Sequence, residues 1–183
     1  MKWAWKIASF EEIQIFVHAT FVVIPALVLL ETLAGGASLG VALSAVFFVL
    51  AVFGCVLLHE LGHALMAAHY GIGTRRITLL PIGGLAQLER MPEKPRQELA
   101  VALAGPAVNV VIAASLFLGM KLAGGFQNVE PLSAISSSWT VKLMVANIVL
   151  VLFNLLPAFP MDGGRVVRAL LAMRMPHRRA TRI

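Results

Sequence analysis

Residues 41–70 read VALSAVFFVLAVFGCVLLHELGHALMAAHY, and this stretch decides the fold. It lies largely within an uncharged run that extends from Thr32 to His59. A helix of about 20 apolar residues is long enough to cross the roughly 30 Å hydrocarbon core of a bilayer. The run therefore predicts a membrane-spanning helix from about Val41 to Tyr70, with Gly71 as its C-terminal stop.

The rest of the chain has the same character. It has 183 residues, of which 59% are hydrophobic and 13% are charged, and its mean hydropathy is +0.86. A soluble domain of this length needs a charged surface that this composition cannot supply. We predict an all-α polytopic membrane protein with about four transmembrane helices, forming one domain over residues 1–183. The three other uncharged blocks are Ile13–Leu30, Leu99–Met120 and Leu143–Met161.

The first block has an alternative interpretation as a secretory signal peptide. Lys2 and Lys6 could form its basic start, and the small residues after Leu33 could be a cleavage site. The apolar run is long for such a peptide, and Glu11 and Glu12 interrupt the expected order. A membrane span is therefore the favoured prediction for Ile13–Leu30.

The positive charges are distributed unevenly. If four helices alternate across the membrane, residues 1–12, the 71–98 connection and the tail after Gly164 share one side, with thirteen of the 15 Lys and Arg residues. This positive-inside bias predicts that both termini and the opening of the site are cytoplasmic. The formal charge of +6 is thus a membrane-topology signal, and we expect no nucleic-acid partner.

The segment from Thr74 to Arg90 does not read as a helix. It contains β-branched residues, then Pro81 and the pair Gly83-Gly84, followed by partial alternation. This pattern predicts a β-hairpin or re-entrant loop near residues 74–90. Irregular backbone at membrane depth must be covered by protein or line a wet cavity.

His59-Glu60-Leu61-Gly62-His63 fits the H-E-x-x-H pattern. On a helix, His59 and His63 share a face and can bind one metal ion, while Glu60 can take a proton from its water. An ionisable residue inside a membrane span is costly and indicates a functional site. The pattern predicts a catalytic zinc site with one Zn²⁺ per chain.

A catalytic zinc usually has three protein ligands. Asp162, the chain's one aspartate, follows the fourth apolar block at a depth similar to His59 and His63, and it is the favoured third ligand. His69 would need a glycine at position 66 to turn back, and that residue is Met66. The other open alternatives are Cys55, Glu89, Glu93 and Glu98.

These motifs together resemble the site-2 protease family of intramembrane zinc metalloproteases. The resemblance rests on the HELGH segment at 59–63 and on NLLPAFPMDGGR at 154–165. Gly105-Pro106-Ala-Val-Asn109 and Pro81-Ile-Gly-Gly84 also match, so it extends over nearly the whole chain. No inserted PDZ domain is visible between the second and fourth spans, which is similar to the compact prokaryotic form. Such proteins often continue into two more membrane helices and a pair of CBS modules, so we expect this chain to be the membrane core.

The resemblance implies that Asp162 is the third zinc ligand and that Asn154 stabilises the oxyanion. Asn154 could instead bond to a neighbouring helix. Asn109 and Gly105 are expected to serve close helix packing, and His18 is expected to be a hydrogen-bonded structural histidine. The resemblance further implies that the loop around Gly83-Gly84 offers an edge to an extended substrate.

The expected activity is hydrolysis of peptide bonds in or near transmembrane segments of a membrane protein substrate. The partners would be that substrate and the lipid bilayer. The rival interpretation is a non-catalytic membrane zinc-binding protein or a metal transporter. A transporter should have polar ligands at several depths, whereas here they gather at one depth beside Glu60.

Overall fold

A computed structural model describes residues 3–10, 13–81, 83–123, 138–158 and 160–174 of the chain. Five α-helices and four β-strands, with one short 3-10 helix at Ala19–Val22, make up the described part. The strands are β1 (Ala4–Phe10), β2 (Ile13–His18), β3 (Thr74–Leu80) and β4 (Gly83–Leu88). The helices are α1 (Val23–Ala34), α2 (Leu39–His69), α3 (Pro95–Leu122), α4 (Trp139–Asn154) and α5 (Asp162–Ala172).

Two of the described helices, α2 and α3, are long and apolar enough to cross a membrane. Only 11% of the apolar window of α2 and 28% of that of α3 are buried inside the protein. Apolar side chains that the protein does not cover need a lipid environment, because water would make their exposure costly. The chain is therefore a membrane protein. The helix α2, at 31 residues, is about 46 Å long and extends beyond the hydrocarbon core.

The predicted first span, Ile13–Leu30, is wrong in its first half. Residues 13–18 form strand β2, a 3-10 turn follows, and helix α1 begins only at Val23. The segment alternates, with Ile13 and Ile15 buried and Gln14 exposed, which is the period of a strand. The all-α description needs the same correction, because the four strands β1 to β4 form one sheet. His18 accepts a hydrogen bond from the backbone N–H of Thr20 and caps the 3-10 turn.

The sheet has the strand order β1-β2-β3-β4. The pairs β1–β2 and β3–β4 are antiparallel, while β2 and β3 pair in parallel, with Ile15 opposite Ile77. Parallel neighbours need a long crossover, and here α1 and α2 together form it. The predicted hairpin near residues 74–90 is confirmed as β3 and β4. The sheet packs on α2 through Ile13, Ala64 and Ile77, which form one buried cluster.

The helices α2 and α3 approach each other closely at Gly62. A Cβ placed there would lie 2.8 Å from Cγ2 of Val108 and 2.9 Å from the carbonyl oxygen of Ala104. Small residues at a crossing let helix backbones pack directly, which compensates for the weak hydrophobic drive between helices in lipid.

The last helix, α5, is held on α3. The guanidinium of Arg168 donates from both Nε and Nη2 to Oε1 of Glu98, which is buried in the first turn of α3. Between α4 and α5 the chain turns tightly, so a side chain at Gly163 would overlap the carbonyls of Leu155 and Leu156. These two contacts place Asp162, the first residue of α5, against α2 and α3.

Substitution of Gly62 by alanine should destabilise the protein, because the added methyl group meets backbone and a branched side chain at the crossing of α2 and α3. We expect a loss of about 1–3 kcal/mol, the usual range for overpacking. Gly54 lies on the same helix with nothing within 4 Å of an added Cβ, so Gly54→Ala is the matched control. Thermal unfolding in detergent measures both variants, and equal stability of the two would contradict the described crossing.

Candidate metal centre

Three polar side chains converge in the interior beside α2. The Nε2 atoms of His59 and His63 lie 3.1 Å apart, and Oδ2 of Asp162 lies 3.1 Å from the first and 3.0 Å from the second. All three residues are buried, with exposed fractions of 4%, 4% and 8%. Among the described residues they form the one group of His, Cys, Asp and Glu side chains able to hold a metal ion.

The opposite nitrogen of each imidazole is also engaged. Nδ1 of His63 lies 2.7 Å from the carbonyl oxygen of Val101, an atom that can only accept, so Nδ1 carries the proton. Nδ1 of His59 lies 2.6 Å from Oδ1 of Asn109 and donates to it in the same way. Such outer hydrogen bonds orient metal-binding histidines and fix their tautomer. Both Nε2 atoms therefore present a lone pair to the centre.

The geometry fits a zinc ion. Ligand atoms at about 2.05 Å from a tetrahedral zinc lie about 3.3 Å from one another, close to the 3.0–3.1 Å seen here. Two lone pairs and a carboxylate oxygen repel one another unless positive charge lies between them. One added proton can bridge only one pair of these atoms, whereas a metal ion binds all three at once.

Asp162 supplies negative charge to this group. Desolvation raises the pKa of its carboxyl, but attraction to the His59 and His63 imidazoles, in the protonated form that they take without a metal, outweighs that effect. The pKa of Asp162 is therefore held below its ordinary value, and the residue is present as the carboxylate. An anionic oxygen beside two imidazoles is a ligand set that zinc accepts.

Gly105 of α3 forms the floor of the centre. A Cβ there would overlap Nε2 and Cε1 of His63 and lie 2.7 Å from Nε2 of His59. The position that an added methyl group would take is thus the space between the imidazoles. The expected packing role of Gly105 holds, and its packing partners are the two histidines themselves.

Glu60 lies beside the centre and under strand β4. A Cβ at Gly84 would lie 2.9 Å from Cδ of Glu60, so only glycine leaves room for this carboxylate. The backbone N–H of Ala86 also faces the Glu60 carboxylate. Strand β4 therefore confines Glu60 by a close approach at Gly84 and presents a backbone N–H to its carboxylate.

Asn154 is half-buried at the end of α4, and its Nδ2 donates to the carbonyl of Leu150, one turn earlier. This hydrogen bond is to its own helix and not to the three converging side chains. Within the described part of the chain, the second hydrogen of this amide has no hydrogen-bond acceptor.

The alternative third ligands lie elsewhere. His69 is exposed at the end of α2, and Cys55 accepts a hydrogen bond from Asn147 at 3.4 Å. Glu89 pairs with Arg75 at 3.4 Å, and Glu98 pairs with Arg168. Glu93 is exposed.

Sequence reasoning missed one buried polar residue near the site, Asn147 of α4. Its exposed fraction is 0%, and its Oδ1 accepts a hydrogen bond from Nδ2 of Asn109 at 2.7 Å. An amide within an otherwise apolar membrane helix is a usable signal, because such groups must find partners inside the protein.

The fold and the site have the architecture of a membrane metalloprotease. The sequence model of peptidase family M50 matches residues 47–141 and 121–183 of the chain. The chain therefore belongs to peptidase family M50, and the resemblance to site-2 proteases seen in its motifs is confirmed.

Individual proteins agree with this assignment. The chain is 40% identical over 139 residues to a zinc metalloprotease of Methanocaldococcus jannaschii, covering 76% of this chain and 38% of that protein. It is 43% identical over 122 residues to a putative zinc metalloprotease of Synechocystis, covering 67% of this chain and 30% of that protein. The chain thus spans about a third of the length of these relatives.

A solved structure has the same fold. The site-2 protease from Methanocaldococcus jannaschii matches with a TM-score of 0.70 and 31% sequence identity. The match covers 98% of this chain and 77% of that one.

Substitution of Gly105 by alanine should abolish high-affinity zinc binding, because the methyl group takes the space between the imidazoles of His59 and His63. We expect the zinc dissociation constant to rise more than tenfold, measured by competition with a chromogenic chelator. Gly119 lies on the same helix with nothing within 4 Å of an added Cβ, so Gly119→Ala should bind zinc normally. Unchanged zinc affinity in Gly105→Ala would show that the metal binds elsewhere.

Proposed function

We propose that the chain is the catalytic core of an intramembrane zinc metalloprotease that hydrolyses peptide bonds in or near transmembrane segments of membrane proteins. The convergence of His59, His63 and Asp162 among apolar helices, with Glu60 beside them, is the observation that carries this proposal. Membership of peptidase family M50 and the zinc metalloprotease relatives support it.

In this proposal His59, His63 and Asp162 hold one zinc ion per chain. When bound, the zinc would lower the pKa of a water molecule and polarise the scissile carbonyl. Glu60 accepts a proton from the attacking water and later delivers it to the departing amine, the usual task of a general base and acid. The close approach of Gly84 restricts its carboxylate, and the backbone N–H of Ala86 faces it.

Asn154 is proposed to stabilise the negative oxygen of the tetrahedral intermediate. One hydrogen of its Nδ2 is held by the carbonyl of Leu150, which fixes the plane of the amide. The second hydrogen is available to an oxyanion. Support for this role comes from its place at the end of α4, eight residues before Asp162, and from the family resemblance.

Strand β4 is proposed to bind the unwound substrate as an added strand. It is the last strand of the sheet, so one of its edges is unpaired within the described residues. The N–H of Ala86 reaches Glu60, and that of Glu89 donates to the carbonyl of Gly73 on the β3 side. Because N–H directions alternate, those of Gly84 and Leu88 point away from β3 and can pair with a substrate.

A polar cleft lies between β4 and α5 and is proposed to admit water. Its volume is about 580 Å³, and its lining includes Ala86, which contacts Glu60, and Arg165, one turn after Asp162. A site inside a bilayer needs such an opening, because the hydrolytic water cannot arrive through hydrocarbon.

We further propose that α1 and α4 also cross the membrane, giving four spans with both termini cytoplasmic. These helices are shorter, with 16 residues in α4, and many of their apolar side chains are exposed. The positive-inside rule assigns the 71–98 connection and the segment after Gly164 to the same side of the membrane. Arg75 and Arg90 of the first segment line one cleft together with Arg165 of the second, which supports this assignment. The predicted basic tail beyond residue 174 lies outside the described residues.

Replacement of Glu60 by glutamine should abolish cleavage and leave zinc binding intact. Glutamine keeps the shape of the side chain, but it cannot take a proton from water. We expect cleavage of a single-span test substrate in detergent to fall at least about 100-fold. Removal of zinc by a chelator should abolish the activity of the unmodified chain.

The same assay separates the rival interpretations. Equal cleavage by both forms would assign the activity to a contaminant. Binding of one zinc by both forms without any cleavage would favour a non-catalytic zinc-binding protein, because metal binding alone needs no base.

Crosslinking can test strand addition along β4. In a Cys55→Ala, Glu60→Gln background, a cysteine replaces the exposed Leu85, and single cysteines are placed along the substrate. Disulfide formation should alternate with a period of two substrate residues, as the side chains of a paired strand do. A period of three to four residues would show that the substrate binds as a helix and would contradict the proposal.

A further inference from the structure

A chain of side-chain hydrogen bonds runs from α4 to the metal centre. Nδ2 of Asn147 donates to the carbonyl of Leu143 at 2.8 Å and to Sγ of Cys55 at 3.4 Å. Oδ1 of Asn147 accepts from Nδ2 of Asn109 at 2.7 Å, and Oδ1 of Asn109 accepts from Nδ1 of His59 at 2.6 Å. Both asparagines have an exposed fraction of 0%.

The direction of every bond in this chain follows from one backbone carbonyl. The oxygen of Leu143 can only accept, so the amide nitrogen of Asn147 must face it. The oxygen of Asn147 is then left to face Asn109, which must present its own nitrogen. The oxygen of Asn109 consequently faces His59, whose Nδ1 must carry the proton. Nε2 of His59 is thereby left as a lone pair directed at the centre.

We propose that Asn147, whose hydrogen bonds reach Asn109, Cys55 and Leu143 but none of the three metal-binding side chains, is a positioning residue that sets the tautomer of His59 and, through it, the affinity for zinc. The proposal rests on the proposed zinc site and extends it to α4. Cys55 adds a second acceptor, so both hydrogens of the Asn147 amide are occupied and the group cannot turn over without losing two bonds. The network begins and ends on α2, at Cys55 and His59, and links that helix to α3 and α4.

The physical consequence of losing Asn147 is specific. Without its oxygen, the amide of Asn109 can turn and offer nitrogen to His59, which favours a proton on Nε2 of His59. That proton must leave before a metal can bind. Loss of an outer hydrogen bond to a metal-binding histidine typically lowers affinity by a factor of about 10–100.

The experiment compares the unmodified chain with Asn147→Leu, Asn147→Asp and the double variant Asn109→Asp, Asn147→Leu. A protonated aspartic acid at 147 can donate to Leu143 and accept from Asn109, so the network is kept. The carboxylate of an aspartate at position 109 has no N–H group. It therefore accepts a hydrogen bond from Nδ1 of His59 whichever residue occupies position 147. The double variant should therefore rescue the defect of Asn147→Leu.

The tautomer is measured in metal-free protein by nitrogen NMR of labelled histidines, well above the ordinary imidazole pKa of about 6.5. His63 is an internal control, because its Nδ1 donates to a backbone carbonyl in every variant. Zinc dissociation constants are measured separately. Because the tautomer is measured without metal, failure of the zinc proposal would appear in the unmodified chain and would not be confused with failure of this one.

We expect the Nδ1–H tautomer at His59 in the unmodified chain, in Asn147→Asp and in the double variant. In Asn147→Leu we expect mixed tautomers at His59 alone and a dissociation constant raised 10- to 100-fold. An unchanged His59 signal in Asn147→Leu would overturn the proposal. A changed His63 signal in Asn147→Leu that persists in the double variant would also overturn the proposal, because it would show that Asn147 only supports the general structure. If Asn147→Leu does not fold, Asn147→Ala removes the same oxygen with the same expected outcomes.

Discussion

The close crossing of α2 and α3 is the constraint on which the fold and the candidate site depend. Gly62 of α2 lies against Ala104 and Val108 of α3, and Gly105 of α3 lies against the imidazoles of α2. Small residues on both helices bring the backbones near enough for His59 and His63 to bond to α3. In lipid, where apolar side chains gain little by contacting one another, such packing and the polar bonds that it permits hold helices together.

The candidate site could be predicted from the sequence because its residues are chemically unusual where they occur. Charged and histidine side chains inside apolar runs stand out at His59, Glu60 and His63, and Asp162 follows a long uncharged block. Asp162 is 103 residues from His59 and 99 residues from His63 along the chain. The spacing of the apolar blocks places all three at a similar depth in the membrane, and this shared depth predicts that they meet. The role proposed for Asn147 could not be predicted in this way. It depends on whether the amide oxygen or the amide nitrogen faces Asn109, and the sequence does not specify that orientation.

The fold was predicted less completely. An uncharged run such as Ile13–Leu30 satisfies the length criterion for a span whether its first residues form a helix or a strand. What makes residues 13–18 a strand is their pairing with β3, about 60 residues later in the chain, and no local pattern specifies that partner. The hairpin at 74–88 was predictable because its strands are neighbours joined by Pro81 and glycines, so local turn chemistry identified it.

The separation between the histidines and Asp162 along the chain has a consequence in time. At a synthesis rate of 5–20 residues per second, the aspartate is added about 5–20 seconds after the histidines. Helix α2 and the sheet that covers Glu60 can assemble during that interval, since β3 and β4 are made well before α5. During this interval the nascent chain has His59 and His63 but still lacks Asp162, so the three side chains cannot yet meet. Under the proposed function, the metal centre would therefore stay incomplete until α5 has folded against α3.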